Sequence, residues 1–244
     1  MSSSGIYLGA TRHPWPCLLF VLPLLAAYEL FVLQLGGAHP EYVRNGADNW
    51  LRVALAAGGV AYQWLPPVVL ALVFAAWSRI RWSNRPEDLT GVLSGMALES
   101  VAYALGLWGL SRAMPQLLAQ WGVALAAEAK TSTVPGVARL VSYLGAGIYE
   151  EAIFRLGLYT GLCALIRVTG LPRSISMIVA ATASAALFSA AHHLGPYGQP
   201  YNNYVFLFRM AAGIYFAALY QFRGFGIAVG AHACYNVMIS VGTA

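Results

Sequence analysis

Apolar runs of about twenty residues recur along this chain, near 15–36, 58–78, 89–111, 137–166, 174–194, 203–222 and 224–242. Few folds are open to such a chain. A helix needs about 20 apolar residues to cross a bilayer, and within the bilayer every backbone polar group must be satisfied internally. The runs have the length of helices rather than of strands. The sequence therefore predicts an all-α, polytopic transmembrane helical bundle of seven to eight spans. The eighth would come from Arg112 to Lys130, a stretch whose Trp121 and polar flanks otherwise suit an amphipathic helix lying at the interface. Composition agrees, with 59% of the 244 residues hydrophobic and 9% charged, far from the usual balance of soluble domains. The expectation is a single integral membrane domain over 1–244, with no soluble module.

The net charge of +5 does not point to nucleic acid, because the 14 basic residues are scattered over short loops and include one lysine, Lys130. With seven alternating spans, Arg12, Arg79, Arg81, Arg85, Arg167, Arg173 and Arg223 fall on one side. Arg44, Arg52, Arg112, Lys130 and Arg139 fall on the other. The excess of cytoplasmic positive charge then puts the N-terminus inside and the C-terminus outside. The first run carries Pro23 and Glu29, is long for a signal-peptide core and has no convincing cleavage site, so it reads as a retained span. Cys17, Cys163 and Cys234 are too few and too far apart for a disulfide framework or a paired-cysteine zinc motif.

Charges inside such runs cost several kilocalories and are functional hypotheses by default. Three polar groupings stand out. In the run Gly147-Ile-Tyr-Glu150-Glu151-Ala-Ile-Phe-Arg155, the two glutamates point about 100° apart on a helix and so should have different roles. Glu151 and Arg155 have the spacing of a helical ion pair. That leaves Glu150 free to face a cavity, where burial of its carboxylate would favour work as a general base. Phe188 lies one turn before His192, with His193 as a competing neighbour. His232 and Asn236 share one face of the last run and can donate to a developing oxyanion. Each grouping alone also fits a structural ion network, an interfacial histidine or a helix-packing contact. Glu29, Glu99 and Arg209 have no recognisable spacing and are expected to pair structurally. Cys234 points to a different face from His232 and Asn236, and no serine-hydrolase, zincin, phosphate-loop or dinucleotide motif occurs.

The order Glu-Glu-x-x-x-Arg, Phe-x-x-x-His, His-x-x-x-Asn, each on its own apolar helix between Tyr149 and Asn236, resembles the CPBP family of intramembrane proteases, which includes the type II CAAX prenyl endopeptidases. The resemblance implies a glutamate-dependent peptidase with a water-filled cavity in a helical bundle and a catalytic core at about 137–242. By motif position, Glu150 and His192 would activate water, while His232 and Asn236 would stabilise the oxyanion. Glu151, Arg155 and Phe188 would support them. The cofactor stays open between no metal and a divalent ion such as zinc, for which Glu150, His192 and His232 could supply three ligands with water fourth. The implied partners are the lipid bilayer and a membrane-anchored or lipidated protein substrate, prenylated CAAX-type proteins included. A non-catalytic scaffold or immunity protein of the same fold and a proton-coupled transporter are the competing readings. One tension is depth. Helical rise puts His232 roughly 10 Å from the arginine-rich side and His192 nearer 27 Å.

Overall fold

The computed structural model describes residues 3–122, 136–195 and 198–241, all helical apart from turns. Ten α-helices are numbered in chain order: α1 Ser3–Ala10, α2 Pro14–Gly36, α3 Gly46–Ala57, α4 Leu65–Ile80, α5 Leu89–Gln120, α6 Gly136–Gly145, α7 Thr160–Val168, α8 Arg173–Ala191, α9 Asn203–Arg223 and α10 Phe225–Val241. Their starts follow local chemistry. His13, Asn45, Asp88 and Asn202 cap α2, α3, α5 and α9 with side-chain acceptors on exposed N–H groups. Prolines occupy the first turns of α2 and α4, where no N–H is needed.

Between α6 and α7 the backbone stays helical but widens into π geometry over Ala146–Glu150 and again over Ala152–Tyr159, so 136–168 is one continuous rod with a swollen centre. Such widening shifts the hydrogen bonds to i→i+5 and re-aims side chains. Both glutamates of the first motif sit there.

Among the described residues, four helices are long and apolar enough to cross a membrane: α2, α5, α8 and α9. This makes the protein a multi-pass helical membrane protein and corrects the expected count of seven to eight. All seven runs hold helix, but α4 and α10 have 16 and 17 residues, roughly 24–26 Å at 1.5 Å per residue and short of the ~30 Å hydrocarbon core. The 136–168 rod carries Arg139, Glu150, Glu151, Arg155 and Arg167. Arg112 to Gln120 simply prolongs α5; residues 123–130 lie outside the described residues. Alternation over seven spans therefore no longer orders the loops, and three of the arginines counted as loop charges are not free. Arg44 and Arg52 pair with Glu29 and Asp48, and Arg223 pairs with Glu99.

α10 is the axis of the bundle. It packs on α2, α5, α6, α9 and the swollen segment, and Phe225, Ile227, Ala228, Val229 and Ala231 are buried. Its start is deep because Gly224 turns the chain at φ +99, a left-handed value that favours glycine. A Cβ at Gly224 would also lie 2.8 Å from the Thr11 carbonyl oxygen. Gly147 lets the swollen segment meet α10 closely. A Cβ there would come within 2.9 Å of both the Ala233 Cβ and the Val229 carbonyl oxygen.

Gly147→Ala should therefore destabilise the protein by about 1–3 kcal/mol through overpacking. Thermal unfolding in detergent measures this, and an unchanged midpoint would contradict the close approach of these two helices.

Candidate active site

The swollen helix turns its two glutamates to different partners. Glu151, fully buried, accepts from His232 Nδ1 at 2.7 Å and lies 3.2 Å from Arg155 Nη1. The arginine contact is an ion pair by distance and not a hydrogen bond, since Nη1 finds no hydrogen-bond partner among the described residues. Arg155 instead donates through Nη2 to the Gly213 carbonyl at 3.3 Å. Its guanidinium carbon sits 4.5 Å from the centre of the Phe188 ring and 5.4 Å from that of Phe216. Two aromatic faces thus help carry a cation that burial disfavours.

His232 is fixed on two sides. Phe216, from α9, stacks on its ring with centroids 4.4 Å apart and planes 13° apart. The Glu151 carboxylate can only accept, so Nδ1 bears the proton and, in the neutral ring, Nε2 presents a lone pair. That lone pair faces Glu150 Oε2 at 3.7 Å.

His192 repeats the arrangement. It caps the end of α8, donates from Nδ1 to the Phe188 carbonyl at 2.9 Å, and turns Nε2 toward Glu150 Oε1 at 3.9 Å. The Phe188 ring meets the imidazole edge to face at 4.9 Å. Burial lowers the pKa of this imidazole, just beyond the α8 span, with Glu150 opposing the shift, and the neutral ring is favoured. Its side chain is 25% exposed, against 9% for Glu150 and 6% for His232, so the cluster opens to its surroundings beside His192. His193 faces elsewhere. It donates to the Gln199 carbonyl and packs against Tyr201 and Phe206.

Glu150 consequently lies between two imidazole lone pairs at distances too long for direct hydrogen bonds. Among the described residues one group donates to it: Asn45 Nδ2, at 3.0 Å from Oε1. Asn236 lies one turn past His232 on α10 and is half-buried, and its side chain makes no hydrogen bond among the described residues. The depth tension disappears. Glu150 and His192 both stand roughly 27–28 Å along their helices from Val168 and Arg173. His232, only about 10 Å from Phe225, joins them because α10 begins inside the bundle.

A zinc ion would need its ligands at about 2.0–2.2 Å from one point. Here the two histidines address different oxygens of Glu150, and Oε1 is already engaged by Asn45. Among the described residues no group of three or more His, Cys, Asp or Glu is arranged to hold a metal ion. As placed, these residues do not fit the three-ligand site that the resemblance left open, so no step is routed through a metal.

The motifs gave no sign of Phe216, Asn45 or the charges behind Asn45. Glu29, Arg44, Asp48 and Arg52 form a buried lattice of ion pairs. Burial works against the Arg44 guanidinium, yet Asp48 and Glu29 raise its pKa above the ordinary value. Tyr149 donates to Glu29 at 2.7 Å, so Glu29 pairs structurally as expected but directly behind the first motif. Glu99 is held by Arg223, while Arg209 donates to Gln199 and acts electrostatically on both Glu150 and His192. The only local cue to Asn45 was an Arg-Asn-Gly turn before a helix.

This is a multi-pass helical membrane protein with a buried carboxylate held between two histidines. Residues 131–238 match the family model described as type II CAAX prenyl endopeptidase Rce1-like, the family already resembled by its motifs. No curated protein and no solved structure matches the chain.

Arg155→Met leaves Glu151 buried without its cation and should cost about 3–5 kcal/mol. Adding Glu151→Gln should recover part of that loss. Thermal unfolding of both single variants and the double variant measures the coupling, and additive effects would contradict the pair.

Proposed function

We propose that the protein is an intramembrane endopeptidase that hydrolyses a peptide bond of a membrane-anchored or lipid-modified protein, prenylated CAAX-type substrates among them. The observation that carries this reading is the placement of Glu150 between the Nε2 lone pairs of His192 and His232. Gaps of this size are commonly bridged by water. A water hydrogen-bonded there would give its proton to Glu150 as its oxygen attacks the substrate carbonyl carbon, with His192 Nε2 sharing the proton. The tetrahedral oxyanion would take hydrogen bonds from the Asn236 amide and from His232 Nε2 where that nitrogen has first taken up a proton from solvent water. Glu151, on the far nitrogen, offsets the positive charge of that ring, as a carboxylate does for the histidine of a catalytic triad. The proton held by Glu150 then passes to the leaving amine as the peptide bond breaks.

In this reading Glu151, Arg155 and Phe188 hold the two imidazoles, and residues 137–242 form the core of one membrane domain. An apolar groove of about 330 Å³ runs beside the site, lined by residues including Leu55, Pro66, Tyr149, Ala152, Ile153 and Leu156. It suits the hydrocarbon of a lipid-modified substrate or of a bilayer-embedded segment.

Glu150→Gln should abolish cleavage of membrane-anchored or prenylated peptides by the purified protein while leaving its unfolding midpoint near wild type. A chelator added in parallel should leave wild-type cleavage unchanged. Full activity of the folded Glu150→Gln variant would sink the reading in favour of a non-catalytic membrane protein, and chelator sensitivity would require a metal-bound form of the site.

A further inference from the structure

We propose that Asn45, which lies outside the family-matched residues 131–238, is a positioning residue that holds the Glu150 carboxylate in line with the two histidines. This rests on the proposed role of Glu150. Asn45 is 7% exposed, and both ends of its carboxamide are engaged. Oδ1 caps α3 by accepting the Ala47 N–H at 2.8 Å, and Nδ2 donates to Glu150 Oε1 at 3.0 Å. The cap settles which way the amide points, because a flipped amide would set its NH₂ against the Ala47 N–H. The two imidazoles spend their Nδ1 protons on Glu151 and on the Phe188 carbonyl, so among the described residues Asn45 is the one hydrogen-bond donor to Glu150.

A closed ring of contacts braces this bond from both sides. The Asn45 N–H donates to Tyr28 Oη at 3.0 Å, and Tyr28 donates to Asp48 at 2.9 Å. Asp48 and Glu29 share Arg44, at 2.6 and 3.0 Å. Glu29 accepts from Tyr149, the residue next to Glu150 in sequence. The ring thus leaves Asn45 through its backbone and returns through the helix that carries the carboxylate. Its four charged members, counting Arg52, sum to zero net charge, and its point of contact with Glu150 is the neutral Asn45 amide. The charged and titratable groups facing Glu150 from other elements are His192, His232 and Arg209, with Glu151 and Arg155 on its own helix. A change at Asn45 leaves all of them in place.

Asn45→Ser and Asn45→Thr separate positioning from stability, because serine and threonine are both good N-caps while neither gives Glu150 the amide donor. Both are expected to unfold at near the wild-type temperature and to lose about ten- to hundredfold in kcat with KM little changed. At fixed pH, the carboxylate stretching band that disappears in Glu150→Gln should shift in Asn45→Ser, as for a carboxylate that has lost a donor. A folded Asn45→Ser or Asn45→Thr protein with wild-type kcat and an unmoved band overturns the proposal. The infrared measurement needs no substrate. If wild type cleaves nothing yet the band shifts, the protease reading fails and the positioning stands; an unmoved band rejects the positioning whatever the cleavage result.

Discussion

The geometry of the site depends on one buried carboxylate. Glu151 has no exposed surface and is held by His232 on one side and Arg155 on the other. Burying such a group is costly, and the cost is tolerable only because a cation and a hydrogen-bond donor reach it together. That single contact assigns the His232 proton to Nδ1 and turns Nε2 toward Glu150. The same arginine lies against Phe188, whose carbonyl does the equivalent service for His192. Removing the charge from Glu151 would leave both imidazoles less well directed, although neither glutamate–histidine gap is itself a hydrogen bond.

Around this centre the packing is tight where the chemistry needs it. Gly147 admits the swollen helix against α10, and Gly213 admits α8 against α9, where a Cβ would come within 2.7 Å of the Ala185 Cβ. These approaches bring side chains from four separate stretches to one place: Glu150 and Glu151, Phe188 and His192, Phe216, and His232. A fifth arrives from the N-terminal part. Asn45 meets Glu150 across 105 positions of sequence, and the lattice behind it ties α2 and α3 to the rod that carries the glutamates. The N-terminal part of the chain therefore supplies more than membrane context.

The wide centre of the 136–168 helix bears on the same point. In a regular α-helix adjacent residues point about 100° apart, which already separates the roles of Glu150 and Glu151. Here both reach His232, one at each ring nitrogen. A backbone that relaxes to i→i+5 bonding turns less per residue than a regular α-helix, which helps two successive carboxylates approach one ring.

Hydropathy and spacing determined by themselves that the chain is helical, that it enters the membrane repeatedly, and that Glu150, His192 and His232 belong to three polar groupings in the C-terminal half. These are properties of nearest neighbours and of a fixed helical period, which local sequence carries. The number of helices able to cross was not legible, because a run of apolar residues does not reveal where a buried helix starts. α10 begins inside the bundle at Gly224, and the charged centre of the 136–168 rod, at Glu150, Glu151 and Arg155, is buried by its neighbours. Nor could spacing find Asn45, Phe216 or the Glu29 lattice. Their roles arise from contacts between residues far apart in the chain, and only the tertiary packing of helices decides which distant polar groups must satisfy one another once water has been excluded.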